Sequence, residues 1–180
     1  MSTITTVIAS NVAALRTGRG IIAELGDEHY NFVCSPYTTS SIGSHFRHII
    51  DHYECLFAGL TNCHIDYDQR ARDPLVEQHT QHALQQLDAI VDAVQALHSA
   101  VNLDPNLKLS VSLCTAMDRT RETAFESTLL RELVFLHGHT THHFSLVAML
   151  MRLIDLPVDD TLGIAPSTLA YQDQSQCVQQ

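Results

Sequence analysis

The chain has 180 residues, 45% of them hydrophobic and 17% charged, a balance typical of one globular domain rather than a disordered segment. Its formal net charge of −10, with no basic cluster, argues against a nucleic-acid partner, because such binding depends on Lys and Arg neutralising phosphates. No apolar run reaches the roughly 20 residues that a membrane-spanning helix needs, and residues 1–14 lack the features of a secretion signal. We therefore expect a cytoplasmic protein with no membrane partner.

The five cysteines are odd in number, widely spaced and without a CxxC pair. They are Cys34, Cys55, Cys63, Cys114 and Cys177. This pattern indicates neither a disulfide framework nor a thiolate zinc site, so we expect reduced thiols.

The first half of the chain contains two amphipathic segments. Apolar residues at helical spacing predict a first helix from about Thr3 to Leu25, with Gly26 as its C-cap. Residues 27–39 include Pro36 and predict a loop. A second helix is expected to begin at Ser40 or Ser41 and to reach about Asn62.

A third helix is predicted from Asp73 as N-cap, followed by Pro74 at the first helical position, to about Ala100; the connection before it is polar. Alternating residues over 107–113 predict a half-buried strand, which could pair with residues 122–127 across a turn at 118–121.

The fourth helix is expected to open near Ser127 or Thr128 and to end at about Asp155, before Pro157. Four long amphipathic helices predict an all-α fold, a four-helix bundle with a short hairpin or irregular insert between helices three and four. We expect one domain over residues 1–180, with an irregular C-terminal tail over about 158–180.

Histidine is over-represented, with 12 residues against 10 Lys plus Arg. The fourth helix contains His137, His139, His142 and His143, and at 100° per residue only His139 and His143 fall on its apolar face. Two buried imidazoles are costly unless their nitrogens find partners, and a divalent metal satisfies both at once.

Two histidines rarely hold a metal firmly, so a third ligand is needed from another element. The second helix offers His45, His48 and His52. Helical spacing slightly favours His45 or His52, which lie at the edge of the apolar stripe, and does not decide among the three.

Two short runs, Ser-His-Phe-Arg-His-Ile-Ile-Asp over 44–51 and His-Thr-Thr-His-His over 139–143, resemble motifs of the DinB-like (DinB/YfiT-like) metalloenzymes. The resemblance implies a four-helix bundle with one metal-binding histidine on helix two and two in an HxxxH pair on helix four. Carried onto this chain, those ligands are His48, His139 and His143. The resemblance also implies that Asp51, three residues after His48, belongs to the motif.

Three histidine ligands leave open coordination positions, which is typical of catalytic metal sites. Imidazole ligands suit zinc, nickel, copper or iron, and among these we expect zinc or nickel. Several DinB-like proteins are thiol-dependent S-transferases, so the resemblance implies a low-molecular-weight thiol, a small electrophilic substrate and a homodimer. A hydrolase using activated water and a non-catalytic, dimeric metal-binding bundle are the alternatives. Asp51 is a candidate for orienting an imidazole or accepting a proton, and is equally well read as a solvated surface residue. The roles of His45, His52, His137 and His142 stay open.

Overall fold

The computed structural model describes residues 2–99, 103–116 and 122–177, which form seven helices and one three-stranded sheet. The helices are α1 (Thr3–Glu24), α2 (Asp27–Asn31), α3 (Ile42–Leu60), α4 (Pro74–Gln78), α5 (Thr80–Ser99), α6 (Leu129–Leu153) and α7 (Pro166–Cys177). The strands are β1 (His64–Asp66), β2 (Lys108–Cys114) and β3 (Glu122–Thr128). Within these ranges, no helix is both long and apolar enough to cross a membrane.

The prediction of an all-α four-helix bundle is wrong, because a mixed sheet belongs to the fold. β2 and β3 pair antiparallel, as the predicted hairpin requires, while its turn at 118–121 lies outside the described residues. β1 adds a parallel strand on the other side of β2. The sequence analysis predicted only a polar connection where β1 lies. The strand has three residues, too few to show the alternation of apolar and polar side chains, although its central residue Ile65 is fully buried.

Local capping explains where the long helices begin. The Ser41 hydroxyl accepts a hydrogen bond from the Ser44 N–H at 3.1 Å, and the Thr128 hydroxyl accepts one from the Arg131 N–H at 3.3 Å. α3 and α6 therefore begin at the predicted residues. The prediction that Gly26 caps the C-terminus of α1 is wrong. Gly26 has φ −86° and is the N-cap of α2, a short helix within the stretch that was expected to be a loop.

The third predicted helix is interrupted at His79, whose backbone is extended, with φ −128° and ψ 113°. Asp73 caps α4 as expected, since its carboxylate accepts the Leu75 N–H at 2.8 Å. α5 then has its own start, because Asp27 of α2 accepts hydrogen bonds from both the N–H and the hydroxyl of Thr80, at 2.8 and 2.7 Å. A residue distant in sequence thus divides the helix.

The four long helices share one hydrophobic core: α1 and α3 each contact both α5 and α6. The sheet lies close to α3, which contacts β1, and to α6, which contacts β3. α3 and α6 therefore run side by side with the loop after β1 near them. This arrangement brings the histidines of the two helices together.

The segment after α6 is not irregular throughout, as the sequence analysis expected, because α7 occupies residues 166–177. Before α7, Gly163 adopts φ +79°, and a Cβ added there would lie 2.2 Å from the Ser145 backbone nitrogen. The Ser145 hydroxyl also donates to the Gly163 carbonyl at 2.6 Å. These contacts anchor the start of the tail to α6.

Candidate metal centre

His139 and His143 lie one turn apart on α6, on the side of that helix facing α3. Their ring centroids are 4.6 Å apart; His143 is buried and His139 is half-buried. The neighbouring His142 is exposed, and His137 is half-buried. The helical spacing therefore identified which of the four histidines face the interior of the molecule.

His48 of α3 completes a group of three. Its ring centroid lies 5.0 Å from that of His139 and 4.6 Å from that of His143. One nitrogen from each of the three rings can be chosen so that all lie within 4.8 Å of one another. These are the three histidines that the family motif selected, whereas helical spacing alone left the choice on α3 open.

Two further α3 histidines adjoin this group. The His52 ring lies 4.2 Å from that of His139 and 4.3 Å from that of His48, and its Nδ1 lies 2.8 Å from the His48 carbonyl oxygen. Because a carbonyl only accepts, His52 Nδ1 carries the hydrogen and donates it. His45 Nδ1 lies 3.0 Å from His143 Nδ1. We call His45, His48, His52, His139 and His143 the histidine cluster.

Aromatic rings close the cluster on one side. Tyr67 stacks on His52 at 5.3 Å between centroids, and Phe135 stacks on His139 at 5.5 Å. The Tyr67 hydroxyl donates to the fully buried Glu132 carboxylate at 2.7 Å, which fixes the tyrosine ring. These rings exclude water from the imidazoles that they cover.

Burial makes the imidazoles weak bases. It is the main cause that lowers the pKa of His48 to about 2, of His143 to about 3, and of His139 and His52 to about 4. Repulsion from neighbouring rings lowers the pKa of His48, His139 and His143 further, and the Arg70 guanidinium lowers that of His48, His139 and His52. The bond of His52 to the His48 carbonyl opposes part of this effect on the His52 pKa. At neutral pH the rings are therefore uncharged, the form in which imidazole offers a lone pair to a metal.

The donor set fits a divalent metal. His139 Nε2 is buried and has no hydrogen-bond partner within the described residues. An orphaned buried nitrogen of this kind is costly unless something outside the chain satisfies it. Three neutral imidazole nitrogens at these separations are ligands that suit zinc or nickel, and the open side of such a set leaves room for a substrate.

Asp51 lies on α3 near the cluster, but within the described residues it does not orient an imidazole through a hydrogen bond, as one of the two predictions for it required. Its side chain is 3% exposed, so it is not a solvated surface residue. The carboxylate accepts the Arg72 backbone N–H at 3.0 Å, and within the described residues it makes no hydrogen bond to a histidine. Burial raises the pKa of Asp51, against the opposing effect of nearby arginines. Its position supports a role in holding the loop after β1 against α3.

The sequence analysis missed Arg70, which lies between β1 and α4. Its Nη1 is 3.3 Å from His48 Nδ1. No local sequence signal identifies Arg70, because its contact with His48 is made between residues 22 positions apart in the chain.

Comparisons with known proteins show no family for this chain. No family model matches it, and no solved structure matches it. A curated relative, FK506-binding protein 5 of Rhizopus delemar, is 29% identical over 107 residues, which are 59% of this chain and 27% of that protein. The matched region thus spans about a quarter of the relative, and the similarity does not assign this chain to its family.

Proposed function

We propose that the chain is a metal-dependent enzyme that holds a divalent ion, zinc or nickel, on His48, His139 and His143. One observation carries the proposal: three histidine nitrogens from two adjacent helices lie within 4.8 Å of one another. The buried Nε2 of His139 supports it further, because no hydrogen-bond partner for this nitrogen exists in the part of the chain that the structure describes.

The activity we propose is thiol-dependent S-transfer, in which the sulfur of a low-molecular-weight thiol bonds to an electrophilic carbon and displaces its leaving group. The DinB-like resemblance of residues 44–51 and 139–143 motivates this reaction class. When bound, a divalent ion supplies Lewis-acid chemistry, lowering the pKa of a thiol or of water that contacts it. A thiol-dependent enzyme needs its thiol reduced, so a reducing cytoplasmic location is part of the proposal.

The residues of the chain prepare the site for this reaction. Burial keeps the three proposed ligands uncharged, so that they offer lone pairs at neutral pH. His52 donates its Nδ1 hydrogen to the His48 carbonyl, which leaves its Nε2 lone pair as a hydrogen-bond acceptor next to the ligands. Tyr67 and Phe135 cover one side of the cluster and exclude water from it.

Calorimetric titration of the zinc-loaded protein with low-molecular-weight thiols tests the proposal. We expect at least one thiol to bind, and His139→Ala carried through the same zinc loading to show no binding. His29→Ala, which removes an exposed histidine on α2, is the matched control and should behave as the wild type.

Zinc-loaded protein that binds no thiol would contradict the S-transferase proposal. Zinc-dependent turnover of an ester or amide in the absence of thiol would replace it with hydrolysis, because the same ligands serve both reactions. Zinc binding that raises the melting temperature without any turnover would point to the non-catalytic alternative.

A further inference from the structure

Arg70 places a positive charge against the histidine cluster without a carboxylate to neutralise it. Within the described residues it forms no ion pair, and its Nε is buried without a hydrogen-bond partner. The three arginines of α3 and α6 do form ion pairs, Arg47 with Glu77, Arg131 with Glu132 and Arg152 with Asp160. Arg70 therefore differs from the three arginines that lie on α3 and α6 themselves.

The carboxylates nearest to Arg70 in the chain are held by backbone N–H groups instead. Asp66 accepts the Asp68 and Gln69 N–H groups at 2.9 and 3.2 Å, and Asp68 accepts the Cys114 N–H. Asp51 accepts the Arg72 N–H. These bonds fix the loop that carries Arg70, and within the described residues none of these carboxylates forms an ion pair with its guanidinium.

The contact between Arg70 and His48 is incompatible with a metal on His48. A neutral imidazole has one nitrogen with a lone pair and one with a hydrogen. Since a guanidinium only donates, the lone pair of His48 lies at Nδ1, towards Arg70. A metal either takes that lone pair or requires the other tautomer, whose Nδ1 hydrogen would oppose the Arg70 donors. In both cases Arg70 must release His48.

We propose that the released Arg70 binds a carboxylate of the substrate beside the metal held by His48, His139 and His143, so that the site selects carboxylate-bearing thiols. This inference rests on the proposed function. The planar guanidinium fork matches a carboxylate with two parallel hydrogen bonds. An anion is also favoured by the charges at the site, because a divalent ion and Arg70 adjoin uncharged imidazoles and Arg70 forms no ion pair within the described residues.

A pair of thiols that differ in one group tests this role. We would titrate zinc-loaded protein with 3-mercaptopropionate and with 3-mercaptopropan-1-ol, which share a thiol and a three-carbon chain. The wild type should bind the acid at least about tenfold more tightly, the discrimination expected of a charge-assisted hydrogen-bonded pair. Arg70→Gln should bind the two thiols equally, with its affinity for the alcohol unchanged.

Two further variants distinguish the contribution of the planar Arg70 guanidinium from that of positive charge alone. Arg72→Gln removes the same charge from an exposed side chain two residues away and should keep the full preference. Arg70→Lys keeps the charge without the planar fork, and should retain only part of the preference. Arg70→Lys also keeps the test valid if Arg70→Gln does not fold.

Zinc affinity gives a readout that a merely structural arginine would not. Arg70→Gln should bind zinc more tightly than the wild type, because it removes both a like charge and a competitor for the His48 lone pair. Full acid preference in Arg70→Gln, or weaker zinc binding by it, would overturn the proposal. A wild type that binds zinc without any acid preference overturns only the role of Arg70, whereas a wild type that binds no zinc overturns the proposed function and this inference together.

Discussion

Two groups of buried or half-buried polar side chains lie where α3 meets α6, and they differ in how completely the chain satisfies their hydrogen-bonding groups. In the first group, which we call the Asn11 network, the Asn11 amide donates to the Val7 and Leu133 carbonyls and the Tyr53 hydroxyl donates to Asn11 Oδ1 at 2.6 Å. Thr140 lies 3.4 Å from the same hydroxyl. Every side chain in this network has a partner within the chain.

The histidine cluster is the second group, and it begins one residue away on both helices, at His52 and His139. It holds five imidazoles at close range, and among the residues that the structure describes His139 Nε2 has no hydrogen-bond partner. A polar group that the chain satisfies by itself stabilises the fold, whereas one that it leaves unsatisfied is costly and indicates a ligand. The contrast predicts opposite responses to pH, metal and substitution.

The largest effect we expect is a loss of stability in acid, because several histidines contribute to it. In the metal-free protein the pKa values of His139 and His52 are lowered to about 4, whereas unfolded histidine titrates near 6.5. Between those values the unfolded state binds more protons, so the free energy of unfolding falls as pH falls from 7 towards 4. Urea unfolding with a chelator at pH 7 and pH 5 measures this.

The source of that acid sensitivity can be checked with one variant. His139→Leu removes an imidazole that must stay uncharged when folded, so its stability should fall less between pH 7 and pH 5 than that of the wild type. Equal losses in the two proteins would place the effect outside the histidine cluster.

Zinc binding should offset the loss of folding stability that the unsatisfied histidine cluster causes. A ligand that binds only the folded state stabilises it by about 2.7 kcal/mol when present at 100 times its dissociation constant. Melting temperatures with zinc and with chelator measure this gain for the wild type. His143→Ala should show no gain, and the control His29→Ala should show the full one; a gain retained in His143→Ala would contradict the assignment of that ligand.

Substitutions in the two groups should change the free energy of unfolding in different directions. Asn11→Leu leaves the buried Tyr53 hydroxyl without its acceptor at 2.6 Å, which should cost about 1–3 kcal/mol. His139→Leu removes a nitrogen that has no partner, so the zinc-free protein should be as stable as the wild type or more stable. Urea unfolding at pH 7 compares them, and equal losses from both substitutions would erase the distinction between the groups.

The smallest effect concerns His45, whose Nδ1 contacts His143 Nδ1 at 3.0 Å and holds that ring in place. Loss of a residue that orients a metal ligand weakens metal affinity by about tenfold or more. His45→Ala should therefore bind zinc about tenfold more weakly, as measured by competition with a chromogenic chelator. His142→Ala, on the exposed side of α6, should not; equal effects would show that His45 does not orient His143.

Local sequence signals predicted the long helices well, because their causes are local. Ser41 and Thr128 cap helices that start next to them, and apolar spacing placed His139 and His143 on the interior face of α6. The break at His79 could not be predicted in the same way, since it follows from Asp27 binding Thr80 across 53 residues.

The candidate site was predicted only in part, because some of its residues carry no local sequence signal. His48 is half-buried, so apolar spacing could not select it over its neighbours on α3, and only the resemblance of a short motif did. His52 was left without a role, although its spacing of four residues from His48 puts it on the same side of the helix. Arg70 could not be predicted, because its contact with His48 spans 22 residues of the chain and no local signal marks it.

Metal content, measured by plasma mass spectrometry on untagged protein purified without a nickel column, tests the central claim most directly. The wild type and His29→Ala should contain close to one divalent ion per chain, and His48→Ala, His139→Ala and His143→Ala should each lose it. A wild type that stays empty after incubation with zinc and with nickel, or three variants that keep their metal, would contradict the assignment of this site.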